Sequence, residues 1–367
     1  MRDRLLVATR KGLFTLSAQS GWSLSPPEFV GEPVSMVLTD PRDGTLYAAL
    51  NLGHFGVKLW RRRAGEADWS ECAVPVYPLQ PESLPEAEPG NPPVAPWSLQ
   101  QLWSLEAGGA DQPGRLWAGT IPGGLFCSDD GGDSWSLNRP LWDRPERLGW
   151  FGGGYDYPGI HSVCVDPRDS RHVTVAVSCG GVWQSRDDGA SWTCTSTGMH
   201  ANYMPPERRD DPNIQDPHRL AQCVGQPDAL WVQHHNGIFR SSDGGALWQD
   251  VVAPTSSFGF AVAVHPHEPD TAWFVPAVKD ECRIPVGGRF IVHRTRDGGQ
   301  SFDALDAGLP PPPVYDLVYR HGLAVDDTGQ RLAMGSTTGG LWLSENGGDQ
   351  WQCLSTHLPP VYAVRFG

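Results

Sequence analysis

A short motif that returns five times constrains this chain more than any other feature of its sequence. The motif reads Ser/Thr-x-Asp/Asn-x-Gly-x-x-aromatic, and its copies begin at Ser128, Ser185, Ser241, Thr295 and Ser344. The aromatic residues that close consecutive copies lie between 49 and 57 residues apart. A repeat of nearly constant length indicates a fold built from similar units that pack on their neighbours. The repeat therefore predicts architecture before any single residue predicts function.

Each copy of the motif has the composition of a β-hairpin. A short apolar run precedes it, as in 124–126 and 340–342, and such runs bounded by Gly and Asp are typical of strands. The Asp or Asn at the centre can accept a bond from the backbone two residues later, and the Gly adopts positive φ at no steric cost. We therefore interpret the acidic residues of the motif as turn-forming, not catalytic.

Each repeat contains enough apolar segments for four strands, the content of one propeller blade. Segments such as 163–167 and 173–177 precede the hairpin, and another strand follows its aromatic residue. Two degenerate copies lie at 5–22 and 59–69, and 360–366 repeats the pattern of a first strand. The sequence thus predicts an all-β, seven-bladed β-propeller in a single domain, 1–367, closed by the C-terminal strand.

The motif resembles the Asp-box (BNR) repeat of sialidases, sortilin-type receptors, xyloglucanases and a photosystem assembly factor, in the WD40/YVTN/BNR-like superfamily. That resemblance implies Asp-box hairpins that link the two outer strands of each blade, away from the ligand face. It implies fold more than function, because the family includes both enzymes and binding proteins. Sialidases carry an Arg-Ile-Pro motif before their first box and resemble six-bladed propellers. Here 283–285 follows the third box, so sialidase activity is not predicted.

Charge and hydropathy restrict the partners and the compartment. The formal net charge of −14 argues against nucleic acid and anionic membranes, which need clustered basic residues. No apolar stretch reaches the roughly 18 residues that a membrane span needs. The N-terminal residues lead directly into a predicted strand without the apolar segment of a signal peptide. We therefore expect a cytoplasmic protein, with a protein partner still open.

Histidines concentrate in the loops predicted to face the ligand side of a propeller. These loops enter the innermost strand or join the second and third strands, and they carry His54, His161, His218, His234 and His235. Neutral imidazoles that converge on a channel can hold a divalent transition metal, whose identity the sequence leaves open. The alternatives are His-based acid–base chemistry and plain hydrogen bonding in a polar channel.

The favoured function is an enzyme that acts on a small polar or anionic molecule at this histidine-rich channel mouth. Basic residues elsewhere in the chain would orient an anionic group: Arg10, Lys11, Lys279 and Arg283. Tyr155 or Asp316 would take part in proton transfer.

Two other functions stay open. One is a metal-free, glycosidase-like hydrolase, which needs two facing carboxylates, with Asp316 and either Glu281 or Asp156 as candidates. The other is a protein-binding or assembly scaffold, which would expose an aromatic patch around the long loops 138–160, 198–217 and 276–289.

Overall fold

The chain folds as an all-β, seven-bladed β-propeller, as its repeats predict. The computed structural model describes residues 3–82 and 95–367. Seven four-stranded sheets follow one another along the chain, and each forms one blade. Among the described residues, no helix is long and apolar enough to cross a membrane.

The strands of the first four blades are short, between two and seven residues. Blade one contains β1 (Arg4–Thr9), β2 (Gly12–Ser17) and β3 (Ser23–Leu24). Blade two contains β4 (Val34–Thr39), β5 (Leu46–Asn51), β6 (Val57–Arg62) and β7 (Ser70–Cys72). Blade three contains β8 (Gln101–Ala107), β9 (Leu116–Ile121), β10 (Leu125–Ser128) and β11 (Ser136–Leu137). Blade four contains β12 (Ile160–Val165), β13 (Val173–Val177), β14 (Gly181–Ser185) and β15 (Thr193–Cys194).

The last three blades repeat the same order. Blade five contains β16 (Pro217–Gln222), β17 (Leu230–His234), β18 (Gly237–Ser241) and β19 (Gln249–Val251). Blade six contains β20 (Gly259–Val264), β21 (Ala272–Pro276), β22 (Val292–Thr295) and β23 (Asp303–Leu305). Blade seven contains β24 (Leu323–Val325), β25 (Leu332–Gly335), β26 (Leu341–Ser344) and β27 (Gln352–Ser355), and the chain ends in β28 (Val361–Phe366).

Within residues 3–82 and 95–367, helical structure is confined to segments of three to five residues between strands. One α-helical turn, α1, spans Arg139–Trp142. The 3-10 turns are Ala18–Ser20, Gly53–Phe55, Pro145–Gly149, Pro212–Ile214 and Val286–Gly288.

The end of the chain completes the first blade, which confirms the predicted closure. Strand β28 pairs antiparallel with β1, placing Val364 opposite Val7 and Phe366 opposite Leu5. Blade one therefore has the order β28-β1-β2-β3 and takes its innermost strand from the C-terminus. The pairing removes a strand edge that would otherwise be open to association.

Each repeated motif forms the hairpin between the third and fourth strands of its blade. In the first copy, Ser128 Oγ donates to Asp130 Oδ1 at 2.8 Å and accepts the Gly132 N–H at 2.8 Å. Asp130 Oδ1 also accepts the Ser134 N–H at 2.8 Å, and the other four copies repeat these contacts. These donors, above all the Ser134 hydroxyl, lower the pKa of Asp130 to about 2. The acidic residues of the repeat are therefore structural, as the sequence indicates.

Apolar side chains pack between neighbouring blades and form the core. Trp273, Trp342 and Trp351 lie in one buried cluster between blades six and seven. Trp117 and Trp183 anchor the corresponding cluster between blades three and four. Burial of such large aromatic surfaces supplies much of the driving force for folding.

The chain divides into two compact units. The first unit comprises Met1–Thr39, Thr197–Met199 and His218–Gly367, and it includes blades one, six and seven and nearly all of blade five. The second unit comprises Asp40–Ser196 and His200–Pro217, and it includes blades three and four.

Candidate functional site

Within the first unit, the loops that enter innermost strands and the loops that join second and third strands are linked by hydrogen bonds into one continuous edge, which we call the rim. The rim comprises 9–12, 218, 233–237, 257–260, 276–291, 313–320, 336–340 and 358–361. Its backbone links include Ala277 N to Phe258 O (2.8 Å), Val314 N to Gly288 O (2.8 Å), Val361 N to Ser336 O (3.0 Å) and Arg10 N to Pro360 O (3.0 Å). Six of the predicted polar site residues in this unit therefore share a single connected edge with three of the predicted histidines, His218, His234 and His235.

Two of the predicted metal ligands, His218 and His235, meet on the rim. Their ring centroids are 5.6 Å apart, and His218 stacks on Phe260 at 4.6 Å. His218 is buried, and its Nδ1 lies 2.7 Å from the Gly259 carbonyl oxygen. A carbonyl can only accept, so Nδ1 carries a proton, and a metal at His218 would bind through Nε2.

His234 lies inside its hairpin turn. The side chain is fully buried beside Phe239, with ring centroids 5.1 Å apart. Its Nδ1 accepts the backbone N–H of Asn236 at 3.0 Å. One ring nitrogen of His234 is therefore occupied in holding the turn that precedes β18.

A stacked arginine lies beside these histidines. The Arg283 guanidinium lies 5.4 Å from the centroid of the Phe260 ring. Its Nη2 donates to Asp280 Oδ1 at 2.7 Å, its Nε to the Asp280 carbonyl at 3.0 Å and its Nη1 to the Tyr319 hydroxyl at 3.4 Å. The buried Arg320 lies 5.8 Å from the same ring. The rim thus holds the Arg283 guanidinium in a fixed orientation over the Phe260 ring.

Lys279 and Glu281 precede Arg283 in the same loop, and both are exposed. The Lys279 ammonium lies 3.6 Å from the Glu281 carboxylate. A hydrogen bond from the backbone of Glu281 itself, followed by the Lys279 charge, lowers the pKa of Glu281. Glu281 is therefore an ionised carboxylate at neutral pH.

Asp316 projects from the segment that leads into β24. Its Oδ1 accepts the Ser336 hydroxyl at 2.5 Å and also the Thr338 hydroxyl. The side chain is half-buried, and Tyr315 beside it is 65% exposed. Two hydroxyl donors on one oxygen fix the orientation of this carboxyl group.

Arg10 and Lys11 occupy the turn between β1 and β2, and both are exposed. The Lys11 N–H donates to Thr9 Oγ1 at 3.2 Å, which holds the turn. Their location joins them to the rim through Pro360, whose carbonyl accepts the Arg10 N–H.

The remaining predicted residues lie in the second unit. Tyr155 is 48% exposed, donates to Gln101 Oε1 at 3.3 Å and packs edge-on against Trp103. His161 is buried, with Nε2 2.6 Å from Pro217 O and Nδ1 2.9 Å from Ser162 Oγ. A metal at His161 would require one of these contacts to break. The other two predicted residues in this unit, Asp156 and His54, are exposed. The His54 ring lies against Phe55.

No protein-family model matches the chain. Two fungal proteins are similar to it in sequence. One is an oligoxyloglucan-reducing end-specific xyloglucanase from Emericella nidulans, 26% identical over 282 residues, which covers 69% of this chain and 32% of that protein. The other is a probable enzyme of the same name from Neosartorya fischeri, 22% identical over 285 residues, with coverage of 70% and 32%. The chain therefore spans about a third of the length of the curated relatives it matches.

A solved structure shares the fold over nearly the whole chain. The GH74 xyloglucanase from Xanthomonas campestris superposes with a TM-score of 0.67, covering 97% of this chain and 53% of that one. The aligned residues are 17% identical, so the likeness is one of fold.

Several residues that contact the predicted site residues carry no recognisable signal in the sequence. Phe260 and Tyr319 occupy ordinary strand and loop positions, and Gln101 is the first residue of β8. Only the packing of Arg283 on Phe260 and the hydrogen bonds to Gln101 reveal them. Aromatic and amide residues are common in such positions, so a single sequence does not distinguish them.

Proposed function

We propose that the protein is a glycosidase-like hydrolase that acts on an oligosaccharide along the rim. The similarity to two xyloglucanases supports the substrate class. The observation that carries the proposal is the Asp316 carboxyl group, which two hydroxyls orient in the segment that leads into the innermost strand β24.

Glycoside hydrolysis needs one carboxylic acid and one carboxylate. In the proposed assignment Glu281 is the carboxylate, because its backbone hydrogen bond and Lys279 keep it ionised. Asp316 is the acid. Both hydroxyls donate to Oδ1, which leaves Oδ2 as the oxygen that would carry a proton to the leaving group. Glu281 would then act as base toward water or as nucleophile toward the sugar.

Arg283 would orient the substrate, together with Lys279, Arg10 and Lys11. A guanidinium has five N–H donors, and Asp280 and Tyr319 occupy three of those of Arg283. The donors that remain on its two terminal nitrogens suit the oxygen atoms of a polar or anionic substrate group. The stack on Phe260 holds the guanidinium plane in place and lowers the entropic cost of binding.

The test is cleavage of defined oligosaccharides, including xyloglucan oligosaccharides, with products identified by mass spectrometry. Asp316→Asn should lower kcat by roughly 100-fold or more, because it removes the proposed general acid. The matched control is Asp68→Asn, which changes an exposed carboxylate in blade two and should leave the rate unchanged. Full activity in Asp316→Asn, or no cleavage of any saccharide by the unmodified protein, would contradict the proposal.

A second candidate function is metal binding at His218 and His235, which the contact between their rings favours. A divalent transition metal on these imidazoles would polarise a bound oxygen and support hydrolysis or other metal chemistry. The charge of His235 is among the weaker influences that lower the pKa of Glu281, so Glu281 would add negative charge to the wider surroundings of the ion.

Elemental analysis of protein purified without chelator or affinity tag tests this second candidate. His235→Gln should lower the bound metal from near one equivalent to near zero, whereas the exposed His357→Gln should not change it. His235 is only half-buried, so its replacement should leave the fold intact. An unmodified protein that neither contains nor rebinds Fe, Cu, Mn, Ni or Zn would refute metal binding.

A further inference from the structure

The geometry of the second unit points to a separate binding surface for the uncharged hydroxyls of a sugar, formed by Asn51, Gln101 and Tyr155. We infer that this surface holds a neutral saccharide unit and takes no part in bond cleavage. The inference rests on the proposed function only for the class of ligand. It assigns Tyr155 to binding, in place of the proton transfer that the sequence suggests.

Gln101 is the centre of the surface. It begins β8, the innermost strand of blade three, and only 8% of its surface is exposed. Its Oε1 accepts Asn51 Nδ2 at 3.2 Å and the Tyr155 hydroxyl at 3.3 Å. Asn51 ends β5, and its own Oδ1 accepts the Gly53 N–H at 3.2 Å. These contacts fix both amide groups in one orientation.

The three side chains still offer both hydrogen-bond donors and acceptors to a ligand, and all of these groups are uncharged. Gln101 keeps both N–H donors of Nε2, and Asn51 keeps one N–H on Nδ2. The Tyr155 oxygen donates its only proton to Gln101 and so presents lone pairs outward. A sugar hydroxyl both donates and accepts, so adjacent hydroxyls can satisfy this set. None of these three side chains carries a charge that would favour an ion.

Aromatic side chains border the amides and offer an apolar surface to the sugar ring. Tyr155 packs on the buried Trp103, with ring centroids 4.9 Å apart and planes at 80°. This contact holds the Tyr155 ring in place while 48% of the residue is exposed. Phe55, 74% exposed, lies in the 3-10 turn that Asn51 holds through Gly53. Sites with few fixed polar groups and aromatic walls are typical of small-ligand recognition.

Titration calorimetry on the 367-residue chain carrying Asp316→Asn, which should slow turnover by roughly 100-fold or more, tests the inference. The probes are cellotetraose and a neutral xyloglucan heptasaccharide. Tyr155→Phe should weaken binding about three- to tenfold, the effect of one lost neutral hydrogen bond, and Gln101→Leu by more. The matched controls Tyr362→Phe and Gln300→Leu change residues of the same types outside the surface and should bind as before.

The outcomes separate this inference from the proposed hydrolysis. Equal affinities in Tyr155→Phe, Gln101→Leu and their controls would overturn the inference, even if the unmodified protein cleaves saccharides. No binding of either probe would overturn it as well. A loss of affinity confined to the two variants would support it, even if the unmodified protein shows no cleavage and the proposed function fails. Unchanged thermal midpoints would exclude loss of folding as the cause.

Discussion

Arg294 of β22 donates through Nη1 to the carbonyl oxygen of Gly347, at 2.9 Å, in the repeat hairpin of the following blade. The same nitrogen lies 2.7 Å from Asp349 Oδ1, and Trp273 Nε1 donates to the same carbonyl at 2.9 Å. The repeat hairpin therefore has two roles. It turns the chain within blade seven, and it presents acceptors to side chains of blade six.

Replacement of Arg294 should destabilise the protein more than replacement of its exposed neighbour Arg296. Arg294→Ala removes a buried cation and leaves the Gly347 carbonyl with fewer donors, at a cost of roughly 2 kcal/mol in free energy of unfolding. Arg296 contacts Asp303 and Asp349 but is 56% exposed, so Arg296→Ala should cost less than about 1 kcal/mol. Urea denaturation measures the free energy of unfolding of both variants. Equal losses would show that the buried hydrogen bonds of Arg294 stabilise the protein no more than the exposed contacts of Arg296.

The repeat predicts the fold well because the hydrogen bonds that form each hairpin join residues within the motif itself. The Ser–Asp–Gly turn closes on itself within a few residues, as Ser128, Asp130 and Gly132 show, so its spacing is visible in the sequence. Closure by β28 was also predictable, because that segment repeats a first-strand pattern. The hydrogen bond from Arg294 to Gly347 was not predictable, because it joins residues 53 positions apart. The sequence also does not distinguish a buried arginine from an exposed one.

Gly339 should tolerate no side chain, in contrast to Gly21. Gly339 has φ +91°, and a Cβ atom there would overlap the carbonyl oxygen of Leu358. Gly21 has φ +64° with no atom within 4 Å of such a Cβ. Gly21→Ala should therefore cost only the left-handed backbone, about 1 kcal/mol, whereas Gly339→Ala should add a steric term and reach about 3 kcal/mol. Similar thermal midpoints for the two variants would contradict this account.

The Thr338 hydroxyl should assist catalysis through Asp316. Thr338 is exposed, so Thr338→Val changes little in the fold but removes one of two donors to Oδ1. Without that donor the carboxyl group can rotate, and we expect kcat to fall about tenfold with KM nearly constant. Thr356→Val alters another exposed threonine, next to His357, and should retain full activity. An increase in KM alone would indicate a role in binding instead.

The candidate sites were only partly visible in the sequence. Loop position indicated that His218 and His235 could meet, and they do. The same rule grouped His161 with them, although its two ring nitrogens contact Pro217 and Ser162. Partners of this kind depend on side-chain rotamers and on backbone carbonyls from other blades. The sequence pattern carries no information about either.

Buried His293 should make the protein less stable in mild acid. The residue is fully buried, and neither ring nitrogen has a hydrogen-bond partner within 3–82 and 95–367. Desolvation lowers the pKa of His293 from 6.5 to about 4. Above pH 6.5 the ring is neutral in both the folded and the unfolded chain. Protonation of His293 then takes nothing from the free energy of unfolding. Between pH 6.5 and 4 the unfolded chain binds a proton that the folded chain does not, so the free energy of unfolding falls as pH falls.

The total loss from this group should be on the order of 3 kcal/mol, reached near pH 4. His293→Phe keeps a ring beside Phe302 but removes the titrating group, so the dependence of stability on pH should become shallower over this range. It should also raise stability at neutral pH, because an unsatisfied buried polar group is lost. His357→Phe, at an exposed position, should keep the original slope. Urea denaturation at intervals between pH 4 and 7 measures the slopes, and identical slopes in all three proteins would assign the acid sensitivity to other groups.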